Sequence, residues 1–290
     1  MMKNFFSVLL VGLSSVALCQ VRHIIVERRQ QVEHVAFSMK SMEGNCTITP
    51  CQKDEIIAIY SNREGGVSHT LQNEIIGSVE NVSLDLHPEN KGGTRSTMLR
   101  KVLGHNSNQD QWKVYLTESL PYNLNLQFGF GDATIDLSNT SIEKLKINTG
   151  SANITIFYRP NMPNKVVLDT FFVAVGMGSL QVKRMSLARP KVSVAEVCFG
   201  DMYLDFSAPY PMPQHIICTV GMGKLIIQLP PSSVAVKATI RHSFLCRVNI
   251  LPQWQSNGHG SFENEAFRRN PANAVTFDLD VSVGKIVFIP

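Results

Sequence analysis

GDATIDLS, Gly131–Ser138, states a phrase that the chain repeats five more times: GSANITI (Gly150–Ile156), GSLQV (Gly178–Val182), GDMYLDFS (Gly200–Ser207), GKLIIQL (Gly223–Leu229) and GKIVFIP (Gly284–Pro290). Two residues after the glycine stand Ala133, Ala152, Leu180, Met202, Leu225 and Ile286. Four residues after it stand Ile135, Ile154, Val182, Leu204, Ile227 and Phe288, so both positions are apolar or small throughout. The residue directly behind the glycine is polar in every copy: Asp132, Ser151, Ser179, Asp201, Lys224 and Lys285. Apolar and polar positions alternating with period two mark a strand with one buried face. A glycine at a constant place before each strand predicts a corner that a side chain would obstruct. Gly131, Gly150, Gly178, Gly200, Gly223 and Gly284 are therefore read as structural corners.

The first five of these glycines are 19 to 28 residues apart. That interval suits one coil of a solenoid better than a hairpin unit. The intervening runs Lys144–Ile147, Val166–Val175 and Lys191–Val197 are also extended in character, so each coil would hold two or more strands. An immunoglobulin-like sandwich shows the same alternation. Its strands need not resemble one another, whereas like residues stack on like in a solenoid. No segment keeps apolar residues at helical spacing for three turns, and the fold class expected is an all-β, single-chain β-solenoid.

Working outward, Trp112–Leu116 and Leu124–Phe128 alternate and lead into the first repeat. Before them, residues 20–111 carry further extended runs, Arg22–Arg29, Val32–Met39, Ile56–Tyr60 and Val82–Leu86, punctuated by Glu43-Gly44-Asn45, Pro50, the stretch 62–66 and a turn at Lys91-Gly92-Gly93. This region is expected to form the first coils or a cap, and residues 112–290 the solenoid proper. Near 252–274 the repeat is interrupted by a polar excursion, read as a loop on the stack or a cap over its open end, where an unpaired edge would invite aggregation.

Residues 1–19 have the build of a cleavable signal peptide: Lys3, an apolar run Phe5–Leu18, and small residues at Ala17 and Cys19 for processing before Gln20. The run is shorter than the roughly 20 residues a spanning helix needs. Acylation of Cys19 is the lipoprotein alternative; Leu18 departs from the small residue that such processing prefers, so plain export, to periplasm or cell surface, is expected. No later segment predicts a transmembrane helix. With 44% hydrophobic and 17% charged residues the chain can bury a sizeable core. Its net charge of +4 is modest and its basic residues are scattered, Arg28-Arg29 and Arg268-Arg269 being only doublets, which argues against a nucleic-acid partner.

Five cysteines follow Cys19. Cys46 and Cys51 flank a short loop that an oxidising compartment could close as a disulfide. Cys198, Cys218 and Cys246 read as small apolar residues of the stack. No pair has the spacing of a zinc or redox site.

WKVYLTESLPYNLNLQFGFGDATIDLSNTSIEKLKINTGSANITI, with GMGSLQV, CFGDMYLDFS, GMGKLIIQLP and the terminal VSVGKIVFIP, resembles the bacterial "toastrack" β-solenoids, including the LiaF-like cell-wall-active-antibiotic-response domain. The resemblance covers Trp112–Pro290. It implies an extracytoplasmic module, in some members joined to membrane helices and tied to envelope-stress sensing, and it carries no catalytic residues; the membrane helices are absent from this sequence.

The acids that invite a chemical reading are Asp132 with Asp136 and Asp201 with Asp205, four apart in twin phrases. Stacked, they could form an outward row attractive to calcium. The glycine-rich nonapeptide of calcium-binding solenoids is missing, so corner capping by Asp132 and Asp201, with Asp136 and Asp205 facing solvent, is the preferred reading. An enzyme alternative, a polysaccharide hydrolase or lyase on a parallel β-helix, would require converging carboxylates and a cleft. The paired glycines around Phe130, Met177 and Met222 lead into no helix and hold no phosphate site; Met177 and Met222 read as stacked corner residues. No catalytic, metal or cofactor site is expected, and the function expected is a non-enzymatic, adhesin-like scaffold for an envelope protein or surface glycan.

Overall fold

The computed structural model describes residues 22–61, 67–88, 111–209 and 212–290. The expected signal peptide, Cys19, the Lys91-Gly92-Gly93 turn and the stretch 62–66 lie outside them.

The described chain is a succession of strands. The first seven are β1 (Arg22–Glu27), β2 (His34–Glu43), β3 (Asn45–Cys51), β4 (Glu55–Ser61), β5 (Val67–Ile76), β6 (Val79–Pro88) and β7 (Gln111–Thr117). Three long strands follow, β8 (Pro121–Asp136), β9 (Ser141–Phe157) and β10 (Leu168–Lys183), then β11 (Pro190–Phe199), β12 (Met202–Asp205) and β13 (Gln214–Gln228). The last are β14 (Val236–His242), β15 (Cys246–Asn249), β16 (Gln255–Gly258), β17 (Ser261–Glu263) and β18 (Val275–Ile289). One 3-10 turn, Met185–Ala188, and one short helix, α1 (Glu265–Arg269), interrupt them.

From β8 to β13 each coil lies parallel on the one before it. A coil runs up a first face, bends, runs along a second face and returns through a non-strand stretch. Parallel, in-register stacking brings like residues into columns. On the first face Val82, Phe37, Leu124, Leu145, Phe171, Ser193, Ile216, Phe277 and Ala238 form one inward column. On the second face Val114, Ile48, Ile135, Ile156, Val182, Leu204, Ile227 and Phe288 form another. These side chains are buried in a single core. Burying each large aliphatic or aromatic residue stabilises the fold by about 1.5–3 kcal/mol. The stack is the solenoid expected from the repeated phrase.

The bend between faces explains the glycines. Gly131, Gly178, Gly200, Gly223 and Gly284 have φ between +121° and +149°. At Gly200 an added Cβ would stand 1.6 Å from the carbonyl oxygen of Gly178, so both the dihedral and the close approach of neighbouring coils demand glycine. Gly150 stands at a different place in the bend. Gly131 pairs with Ala152, and Ala152 with Gly178, so Ala152 occupies this column. Gly150 stands two residues earlier, in a second corner column with Gly129 and Gly176, its position for a Cβ 2.7 Å from the Gly129 oxygen. The GSANITI copy is thus offset by two residues, which preserves its buried face because the side-chain period is two. Gly44, read only as a loop breaker, stands against Gly131, with φ +110°.

At each end the chain order and the stacking order part. The β2–β3 coil lies between β6–β7 and β8, although it precedes β6 in sequence. Likewise β18 lies between β13 and the β14–β15 coil, although it ends the chain. Antiparallel strands finish both ends: β5 on β6, β4 on β7 and β1 on β4 at one, β17 on β14 and β16 on β17 at the other. The excursion near 252–274 is therefore a cap. Trp254 packs on Phe288 with ring centroids 4.9 Å apart, and buried Asn264 accepts from Val236 N and donates to Val234 O, standing in for a strand neighbour. The short, exposed, polar β16 is an edge that offers little to a second chain.

The disulfide expectation is corrected too. Cys46 and Cys51 belong to one extended strand, β3, at positions of opposite parity, and five residues of strand span about 16 Å. A bridge needs Cα atoms within about 7 Å. Cys46 is buried in the second-face core, which pushes its thiol up to about 12. Cys218 and Cys246 are buried, but Cys198 is exposed, in the corner column that Gly176 and Gly221 occupy on adjacent coils.

Candidate functional site

The four acids take two structural roles. Asp132 is exposed and caps the corner: its Oδ1 accepts from Asn153 N at 3.3 Å and Asn153 Nδ2 at 3.0 Å, while its own N donates to Asn45 Oδ1 at 3.0 Å. Ser179 Oγ donates to Asn153 Oδ1 at 2.8 Å, and further along the same column Lys224 N donates to Asp201 Oδ1 at 2.9 Å. Where the glycine bend turns the backbone out of the ladder, side-chain oxygens of one coil satisfy the N–H groups of the next. Asp136 does not face solvent, contrary to expectation. It is 3% exposed, its Oδ1 accepts from Ser138 N at 3.0 Å, and Arg159 stands 2.7 Å from its Oδ2. Asp205 repeats the turn: Oδ1 accepts from Ser207 N at 2.8 Å and Oδ2 from Arg184 N at 3.2 Å. The Asp-x-Ser spacing is an Asx turn that ends the second face, because the carboxylate reaches its own backbone two residues on. Its signal lay in the twin phrases themselves. Burial, with the Asp136 charge close by, pushes the Tyr158 hydroxyl far above its usual range.

These acids do not converge. Three strand steps separate Asp132 from Asp201 and Asp136 from Asp205, about 14 Å at normal strand spacing, and four residues along a strand span about 13 Å. Paired glycosidase carboxylates stand about 5 to 9.5 Å apart. Among the described residues no three His, Cys, Asp or Glu side chains gather to hold a metal ion. No described helix is long and apolar enough to cross a membrane.

The outward positions offer something different. Between the two corner columns stand Phe130, Ser151, Met177, Phe199, Met222 and Val283, in register from coil to coil. Bending the backbone at small residues on either side pushes this middle residue away from the core, and exposure runs from 61% at Phe130 to 51% at Met222. Four large apolar side chains thus form a ridge along the outer corner. The signal in the sequence was the large residue set between small ones in GFG and GMG; read as stacked corner residues, Met177 and Met222 turn out to be displayed. A second feature is a depression of about 520 Å3 on the second face near the N-terminal end, where Tyr60 and Tyr115 meet edge to face at 5.5 Å beside Lys53, Glu55 and Lys113.

Residues 20–183 match the family described as the N-terminal domain of toast_rack, DUF2154. The match begins in the N-terminal β region and stops at the end of β10, whereas the stacked columns continue unbroken into β18. Among curated proteins none matches. Three solved structures align along nearly the whole chain. One, from Clostridium sporogenes, has a suggested role in cell adhesion: 15% identity, 93% of this chain and 98% of that one, TM-score 0.44. Another, from Bacteroides fragilis, is a suggested adhesin: 11% identity, 93% and 96% coverage, TM-score 0.33. The third, from Parabacteroides distasonis, has a suggested lipid-binding role: 9% identity, 93% and 96% coverage, TM-score 0.29. With the family match spanning more than half of an all-β stack, this chain belongs to the toast_rack N-terminal domain family.

Proposed function

We propose that the protein is an exported, non-enzymatic scaffold of the cell envelope, periplasmic or on the cell surface, that binds an envelope protein or a surface glycan along its outer corner. A stance beside membrane proteins would also let it report envelope stress to them. The observation that supports this best is the ridge of Phe130, Met177, Phe199 and Met222, displayed in register by a rigid stack. Apolar side chains held outward at the strand spacing supply contact area without the ordering cost of a loop. Phe and Met are enriched in interface cores. The wide separation of the acids supports the non-enzymatic side of the reading.

The test is capture from envelope extracts with the chain from Gln20 onward, beside a variant carrying Phe130→Ser, Met177→Ser, Phe199→Ser and Met222→Ser. The wild-type chain is expected to retain a protein or glycan that the variant loses. Turnover of pectic or peptidoglycan fragments that Asp201→Asn or Asp205→Asn abolishes would overturn the reading in favour of a polysaccharide hydrolase or lyase.

A further inference from the structure

The two ends of the second face carry different chemistry on the same scaffold. In β8, β9 and β10 the outward side chains of the ridge column and the two columns beyond it are Phe130, Asp132 and Thr134, Ser151, Asn153 and Thr155, then Met177, Ser179 and Gln181. That block holds one acid and no cation. The corresponding block in β13, β18 and β15 reads Met222, Lys224 and Ile226, Val283, Lys285 and Val287, then Leu245, Arg247 and Asn249. It holds three cations and no acid. Lys224, Lys285 and Arg247 stand side by side on adjacent strands, a row about 10 Å long at normal strand spacing. None has an ion-pair partner among the described residues; the next residue in the column is an acid, Asp201, whose Oδ1 accepts from the Lys224 backbone N–H. Apolar residues flank the row, Met222, Val283 and Leu245 on one side, Ile226 and Val287 on the other.

A second, independent feature lies at the edge of this block. His242 pairs with Val281 and Cys246 with Gly284, so β14–β15 spends three residues on the corner where β18 spends two. The corner is made by a turn, with Cys246 N donating to Ser243 O at 3.1 Å and Leu245 N to Ser243 Oγ at 3.1 Å. The hydroxyl of Ser243 in turn donates to Ser282 O. The extra residue places Phe244 outside the stack, 94% exposed, on a turn tied down at three points. A held aromatic at a tip, beside a row of three cations bracketed by aliphatic residues, has the makings of an interfacial contact: the ring and aliphatic side chains enter the boundary of the acyl chains while the cations meet phosphates.

We propose that this C-terminal end of the second face docks on an anionic phospholipid surface. Charge complementarity decides the occupant. Three cations on adjacent strands repel a second copy of themselves and attract a surface of phosphates. Docked in this way, the scaffold keeps the rest of its ridge and its N-terminal end free for the partner proposed above, and the inference does not depend on that partner's identity.

The experiment is co-sedimentation of the chain from Gln20 onward, so that residues 1–19 cannot insert, with vesicles of phosphatidylcholine alone or mixed in equal parts with phosphatidylglycerol. Binding is expected to the mixed vesicles, to weaken as salt rises, and to be slight with phosphatidylcholine alone. Each cation near an anionic surface contributes about fivefold, so Lys224→Gln/Lys285→Gln/Arg247→Gln should bind about 100-fold more weakly. Phe244→Ser should lose about tenfold. All these side chains face outward, so circular dichroism and melting temperature should match wild type. Equal binding to both vesicle types, no binding to the mixed vesicles, or full binding by either variant would overturn the proposal. So would a Phe244-dependent dimer by light scattering without vesicle binding, which would give the surface to a second copy. Phe130→Ser/Phe199→Ser should bind mixed vesicles as wild type does; a loss there would move the contact to the ridge and end this assignment. Failed capture of an envelope partner, in contrast, would leave the vesicle result standing.

Discussion

From Pro121 to Gln228 every coil rests on its predecessor, whereas at both ends the chain leaves a slot in the stack and fills it with a later or earlier segment. The difference teaches that the glycine phrase marks a place in a column and not a place in chain order. GKIVFIP closes the sequence, yet β18 lies between two parallel neighbours, and it keeps the corner glycine that continuous bending demands. The β14–β15 coil lies beyond it and lacks the phrase, because a turn with one extra residue makes its corner instead. In the middle, uniform geometry is enforced from both sides. At the ends one side is released, and the chain uses that freedom for antiparallel caps and for the displayed turn at Phe244.

Mutations that read the same chemistry in the two regions should separate them. The largest effect belongs to Leu204→Asp, or its equivalent Ile154→Asp, in the middle: a buried, unpaired carboxylate costs several kcal/mol, on the order of a domain's whole stability. Val248→Asp in the edge strand β15 is only half-buried and should leave a folded chain with a lowered melting temperature. A wild-type melting temperature for Leu204→Asp would show the inner face to be misassigned.

Next come the glycines. Gly200→Ala should cost about 3 kcal/mol, since the new Cβ meets a backbone oxygen on the neighbouring coil as well as an unfavourable φ. Gly258→Ala in the end hairpin has an empty surround and should cost about 1 kcal/mol from its φ of +84° alone. Urea titrations of the two proteins measure the gap; equal losses would erase the distinction between stacked corner and free turn.

Alkaline pH probes the core more gently. Burial keeps the Cys46 thiol, and the Tyr122 and Tyr158 hydroxyls, protonated in the folded chain beyond the pH at which they ionise when unfolded. The unfolded chain then binds fewer protons, so stability should decline as pH rises above about 9. Denaturation midpoints from pH 7 to 11 follow it, and Cys46→Ala should flatten the slope. A thiol reagent at neutral pH should label exposed Cys198 quickly and Cys46 and Cys218 only on unfolding.

The smallest effect is a gain. Ser193 stands in the first-face column between Phe171 and Ile216, fully buried, and its hydroxyl has no hydrogen-bond partner among the described residues. Ser193→Ala should stabilise the middle by about 1 kcal/mol, read as a raised urea midpoint at unchanged slope. A loss would mean that the hydroxyl is satisfied.

Much of the architecture was legible because alternation is a local property. Ile154 and Leu204 point inward by period alone, and even the two-residue slip in GSANITI left them on the correct face. The fate of Asp136 was not legible, since its burial depends on Arg159 arriving from the next coil. The Cys46 and Cys51 pairing failed for a related reason: five residues of loop can fold back, five residues of strand cannot, and Thr47-Ile48-Thr49 lies in a strand because β7 and β8 flank it. The basic row was half visible as Lys224 and Lys285; Arg247 carries no phrase and joined them only through pairing with β18.

The sequence by itself determined that this is a β-stack with one greasy side per strand and small residues at its bends, because each of those choices is made within a few bonds of the residue concerned. Only the tertiary structure decided which coil lies on which, and therefore which outward side chains become neighbours. Alternation within a coil names its inward face but not its neighbour, because every coil offers the same kind of buried face and the same unpaired strand edges. The ridge forms because β8 to β13 stack in chain order, whereas the row of cations exists only because β18, from the end of the chain, lies between β13 and the β14–β15 coil.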